Sequence, residues 1–160
     1  MPNATKSLPL DVPLNGLLEV VFDVMVSEFR GEMRRSEFSD LRPVHGCVFR
    51  HVRKPGLRLT EIAERGNRTK QSVGEVVDDL VERGYVERIP DPDDRRAKLI
   101  RMTERGEEAQ VYGFGILERI EKRWEERYGT ERIADFREIL ETLTAGEAAY
   151  AFPEPAQAGT

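Results

Sequence analysis

The sequence predicts a mainly α-helical fold carrying one small β-hairpin, and three observations lead there. Between Thr69 and Gly84, Val73, Val76, Val77, Leu80 and Val81 recur at i, i+3, i+4, i+7 and i+8, so one helical face is apolar. A shorter helical segment precedes this one across a tight turn, and two runs rich in β-formers, Tyr85–Ile89 and Lys98–Met102, follow it. Long segments with apolar stripes flank the whole unit on both sides.

Taken in order, residues 1–13 hold three prolines and few apolar groups and read as a flexible arm. A single domain is expected over residues 14–144. It opens with a long helix from Leu14 to Phe38, in which Leu14, Leu17, Leu18, Val21, Val24 and Met25 form one stripe and Val20, Phe22, Val26, Phe29 and Met33 much of another. Apolar side chains on more than one face exceed what one small core can cover. Residues 43–53 form a second helix, which contains both histidines, His45 and His51, and the single cysteine, Cys47.

The unit over residues 57–106 comes next. Thr60 caps a short helix with Ile62 and Ala63 inward, and Gly66-Asn67 tolerates the positive φ of a sharp turn. Thr69 caps the longer helix and Gly84 stops it. Pro90 to Arg96 hold two prolines and no apolar side chain, as the exposed tip of a hairpin would. Two helices across a turn followed by a charged hairpin make a winged helix-turn-helix. Residues 107–144 add amphipathic helices through Val111, Phe114, Leu117, Ile120, Trp124 and Tyr128 and then, after Gly129-Thr130, through Ile133, Phe136, Leu140 and Leu143. Segments 14–38 and 107–144 are expected to form a dimerisation layer, and residues 145–160 a loose tail.

Composition bounds the rest. The chain of 160 residues, 39% apolar, is long enough for one core. It has no membrane-length apolar run and no basic-plus-apolar signal segment, and one cysteine excludes an intramolecular disulfide framework; the expectation is a cytoplasmic protein without membrane contact. The net charge of −5 is uneven: +1 over residues 1–56, 0 over 57–106 and −6 over 107–160. Arg68, Lys70, Arg95, Arg96 and Lys98 gather at the turn and wing, a local basic face on a neutral unit. The helix from Thr69 leads with Lys70, Gln71, Ser72 and Gly74, while Glu75, Asp78, Asp79 and Glu82 follow, so only its first turns suit a polyanion. No G-x-S-x-G elbow, phosphate-binding G-x-x-x-x-G-K-[ST] loop or H-E-x-x-H pair is present, and neither catalysis nor a cofactor is expected.

The run TKQSVGEVVDDLVERGYVERIPDPDDRRAKLIRMTERG resembles the core of the MarR family of bacterial transcription regulators. Leu80 to Arg88 match L-x-x-x-G-[YL]-[IV]-x-R, Asp94 to Arg96 the D-x-R wing, and Met102-Thr103 to Gly106 the closing L-T-x-x-G, with Met102 for leucine. Gly66, Asn67 and Arg68 depart from the usual apolar-Gly-apolar turn. The resemblance implies a homodimeric repressor that binds a pseudo-palindromic double-stranded DNA operator and is released by a small aromatic or phenolic effector. On that reading Arg68, Thr69, Lys70, Gln71, Ser72, Gly74, Asp94, Arg95, Arg96 and Lys98 form the DNA-binding set, with Gln71 reading bases, Arg96 entering the minor groove and Asp94 holding the Arg96 guanidinium. Two other readings stay open: a metal- or thiol-responsive regulator working through Cys47, and a winged-helix module for protein–protein contact, to which the acidic second half of the helix from Thr69 points. For Cys47 and the histidines the expectation is a buried structural thiol beside a satisfied pair of rings, with no metal.

Overall fold

The computed structural model describes residues 12–145; the arm and the tail, apart from Val12, Pro13 and Ala145, lie outside the described residues. Helix α1 spans Leu14–Met33 and ends before the expected Phe38. The reason is local: the Ser36 hydroxyl donates to the Met33 carbonyl (2.8 Å) and accepts the Phe38 N–H (3.1 Å), a side-chain alternative to helical bonding. Phe38 turns into the core instead, with its ring against Tyr85 and Tyr112. A 3-10 turn over Pro43–His45 leads into α2, Gly46–His51, so the helix expected over 43–53 is shorter and begins tightly wound.

The winged unit follows. Strand β1 is Leu57–Arg58, α3 is Leu59–Arg65, α4 is Lys70–Glu82, and β2 and β3 are Val86–Pro90 and Lys98–Met102. Helix α3 starts one residue before the expected cap at Thr60, and it is Glu61 that accepts the Arg58 N–H (2.8 Å). Asn67 takes the positive φ of the turn (46°), and Gly84 (φ 76°) stops α4 where expected. The sheet is antiparallel in the order β1-β3-β2, with Leu57 opposite Ile100, Val86 opposite Met102 and Pro90 opposite Lys98. The wing therefore has a third strand.

Helix α5, Glu104–Tyr128, and α6, Thr130–Thr144, complete the chain. Val48, Val52, Ile62, Val73, Val77, Leu80, Ile100, Ile116 and Ile120 form the core, each worth about 1.5–3 kcal/mol when withdrawn from water. Salt bridges from Arg119 to Glu32 (2.7 Å) and from Arg123 to Glu28 (2.8 Å) fasten α5 to α1. Val81, expected on the inward face of α4, lies at its edge and is 37% exposed.

The junction between wing and α5 is close. Thr103 accepts the Gly106 N–H (3.1 Å) as N-cap of α5, donates its hydroxyl to the Gly84 carbonyl (2.6 Å) and donates its N–H to the Tyr85 carbonyl (3.0 Å). Gly106 then passes the same carbonyl so tightly that a Cβ would lie 2.0 Å from the oxygen. Gly106→Ala should destabilise the fold by ~1–3 kcal/mol through overpacking against backbone, despite the ~1 kcal/mol gain in helix propensity. A denaturant midpoint equal to or above that of the parent protein would contradict this.

Candidate nucleic-acid interface

Helix α4 presents its leading turn to solvent because its apolar side faces inward. Val73, Val76, Val77 and Leu80 are buried, whereas Lys70 and Gln71 are exposed and Ser72 and Gly74 half-buried. The Thr69 hydroxyl accepts the Ser72 N–H (3.1 Å), which leaves the other N–H groups of the first turn, and the positive end of the dipole, pointing outward. Gly74 packs beside Leu59, where an added Cβ would make only an ordinary contact at 3.9 Å.

The acidic second half of α4 is partly neutralised by the protein itself. Asp78 pairs with Arg88 of β2 (2.6 Å). Asp79 takes three partners: the Arg42 guanidinium (2.6 Å), the His45 ring (2.7 Å) and the Arg83 guanidinium (2.9 Å). The Arg42 bond, with those from His45 and Arg83, outweighs desolvation and holds the Asp79 carboxyl far below the usual carboxylate range. Glu75 and Glu82 remain exposed, with the Gln71 amide 3.4 Å from Glu75. Among the described residues, two of the four carboxylates that follow the leading turn, Glu75 and Glu82, therefore have no cationic partner.

The turn brings Arg68 and Lys70 together around a cleft of about 280 Å³, lined also by Thr60, Ala63, Glu64 and Asn67. Arg95, Arg96 and Lys98 stand exposed on the wing. Among the described residues none of these five cations enters a salt bridge, whereas Arg42, Arg58, Arg83, Arg88 and Arg101 all do.

The structure corrects the expected role of Asp94. Its carboxylate accepts the backbone N–H of Arg96 (3.0 Å), and its carbonyl accepts the Ala97 N–H (2.9 Å), so it shapes the tip as an Asx-type turn and leaves the Arg96 guanidinium unheld. The carboxylate that does clamp a guanidinium is Asp91, buried at the root of the wing, which takes both Nε and Nη2 of Arg58 at 2.6 Å and the Asp93 N–H at 2.9 Å. Sequence reasoning missed Arg58 and Asp91. Nothing distinguishes Asp91 from the other aspartates of the tip until β1 is known to bring Arg58 beside it.

The histidine-bearing segment divides. His45 is satisfied at both ring nitrogens, with the Arg42 N–H on Nδ1 (3.0 Å) and Asp79 on Nε2. His51 is not: its Nδ1 is buried without a partner, which corrects the expectation of a satisfied pair. Burial lowers the pKa of both rings. The Cys47 thiol donates to the Val44 carbonyl (3.2 Å), and burial pushes its pKa up, so it stays a thiol. Among the described residues no group of three or more His, Cys, Asp or Glu side chains is placed to hold a metal ion.

Comparison with known proteins gives one consistent answer. A family model described as "MarR family" matches residues 39–97, the segment that holds α2, β1, α3, α4, β2 and the wing tip and stops just before β3. No curated protein sequence matches. Among solved structures, one of MarR is 26% identical, covering 87% of this chain and 93% of its own, with a TM-score of 0.70. Streptococcus pneumoniae FabT in complex with DNA is 21% identical over 82% of this chain and 93% of its own, and CouR from Rhodococcus jostii RHA1 bound to p-coumaroyl-CoA 22% identical over 93% and 100%, both with TM-scores of 0.70.

The Arg58–Asp91 clamp should govern wing stability at low pH. The Asp93 N–H, then Arg58, hold the Asp91 carboxyl below its ordinary value, so the contribution is complete above the unfolded carboxyl pKa of about 3.9 and is lost as pH falls through the lower folded value. Asp91→Asn should flatten stability against pH in that acid window and speed hydrogen exchange at Asp93; a pH profile identical to that of the parent protein would rule the clamp out.

Proposed function

The chain belongs to the MarR family, and on that premise we propose that it is a transcriptional repressor which binds a pseudo-palindromic operator as a homodimer and is released by a small effector. The observation that carries this reading is the division of charge on the winged unit. Asp78 and Asp79 of α4 are tied down by arginines, while Arg68, Lys70, Arg95, Arg96 and Lys98 remain without acidic partners among the described residues. Free cations at a helix N-terminus and on a wing suit phosphate and groove contact. The pairing of Asp78 and Asp79 removes part of the support for a protein-binding module, while Glu75 and Glu82 stay exposed.

Dimerisation is supported by apolar surface left open on the flanking helices. Leu14, Leu17, Leu18, Val20, Val21, Phe22 and Val24 of α1 are exposed, as are Val111 and Phe114 of α5 and Ile139 and Leu143 of α6. A groove of about 730 Å³ runs between α1, α5 and α6, lined by Val20, Val24, Trp124, Ile133 and Phe136 among others. A two-fold assembly covers such faces and matches two half-sites. For the effector, the junction of α2 and α5 offers Arg53 over the Phe114 ring (5.1 Å to its centroid), a place suited to an aromatic molecule.

Gel shift against the upstream region of its own gene, repeated over a salt series, tests the reading; binding no tighter than to scrambled DNA would sink it. Gln71→Ala should relax preference at one or two positions per half-site, at ~1–3 kcal/mol each. Arg96→Ala should weaken binding to most sequences and flatten the salt slope by about one unit per wing. Leu18→Asp or Leu140→Asp should weaken dimerisation and DNA binding together, because a charge buried at the interface lacks a partner. Sedimentation of the parent protein as a monomer that still binds operator would exclude the dimer.

A further inference from the structure

We propose that His45, held in a single neutral tautomer between the Arg42 N–H and the Asp79 carboxylate, is a positioning residue for the DNA-reading helix, and that protonating it lowers operator affinity. The proposal rests on the reading of α4 as that helix.

The tautomer follows from the bonds. A backbone N–H can only donate, so Nδ1 of His45, at 3.0 Å from the Arg42 nitrogen, must be the bare nitrogen, and Nε2 carries the hydrogen donated to Asp79 at 2.7 Å. The ring is 1% exposed, so water cannot replace either bond. A second proton on Nδ1 would set two donors against each other, and the ring would have to leave the Arg42 N–H.

The place of this ring matters because of what else fixes α4. Val73, Val77 and Leu80 set its depth through apolar contact, which is non-directional and permits small rotations and slides. Directional bonds remove that freedom. They converge on Asp79: Arg42 and His45 reach it from the segment before α2, and Arg83 reaches it from the end of α4 while also pairing with Asp40 (3.5 Å). Asp79 follows Gln71 by eight residues on one helix, about 12 Å along the axis, so a rotation at Asp79 is carried whole to the leading turn. The groups facing His45 are Asp79, which favours its protonated form, and Arg42 and Arg83, which oppose it, as does burial.

The test uses the intact protein and opposes two signs. Adding a positive charge near DNA strengthens binding by Coulomb attraction alone. Positioning requires the reverse: from pH 8 to pH 5.5 affinity for the operator should fall by about two- to fourfold, less than the ~tenfold that a ring of ordinary pKa would lose because burial opposes protonation, while affinity for scrambled DNA holds or rises. His45→Gln, which cannot titrate in this range, should lose the pH dependence of the specific-to-scrambled ratio, and His51→Gln should retain it. Two-bond ¹⁵N–¹H correlations of the His45 ring should show the hydrogen on Nε2 at pH 8. Operator affinity that rises on acidification, a ratio whose pH dependence survives in His45→Gln, or a hydrogen on Nδ1 would each overturn the proposal. Failure of the parent protein to prefer operator over scrambled DNA at pH 8 would instead strike the reading beneath it.

Discussion

The approach of Gly106 to the Tyr85 carbonyl is the constraint on which the rest of the architecture leans. That one oxygen accepts the Thr103 N–H and leaves no room for a side chain at position 106 in the first turn of α5. Because Tyr85 directly follows the glycine that ends α4, and Thr103 directly follows β3, one contact fixes the end of the second helix of the helix-turn-helix, the base of the wing and the start of the longest helix. The Tyr85 side chain extends the junction in the other direction. Its ring is buried among Phe38 and Phe49, and its hydroxyl donates to Asp40 at 2.6 Å. The turn that ends α1 is thus sewn to the same point.

Electrostatics divides the molecule by use. Where cations meet carboxylates, as at Asp79, Asp91, Glu28 and Glu32, they fasten one element to another. Where they stand alone, on the turn and the wing tip, they are available to an outside partner. This separation explains how a chain of net charge −5 can offer a basic edge.

Much of this was legible in the sequence, and what was not has a common cause. The Thr69 cap, the Gly84 stop and the periodicity of α4 as far as Leu80 are local signals that stand where expected, whereas Val81 is exposed and Asp91 of the hairpin tip is buried. The closing T-x-x-G motif was read as a family mark; its physical reason, the Tyr85 carbonyl, needs the tertiary contact. Strand β1 has two residues and therefore no period to read. The early end of α1 turns on the Ser36 hydroxyl, which a stripe of apolar residues does not report. The same limit applies to the candidate site: exposed Lys70 and Gln71 could be foreseen, whereas the bonds from Arg42 and His45 to Asp79 and the Arg58–Asp91 clamp join residues 33 or more apart in the chain. Asp94 misleads because a carboxylate two residues from an arginine suggests an ion pair, while the backbone N–H of that same arginine is the nearer donor.

The length of α5 has its own consequence. Its 25 residues make a rod of ~37 Å, with the wing fixed at one end and the chain turning at Gly129 at the other. A rod of that length is a lever. A tilt of about 5° at its far end displaces the winged unit by ~3 Å, close to the ~3.4 Å step between stacked base pairs. A small rearrangement among the flanking helices is thus geometrically amplified along α5 into a displacement of the winged unit.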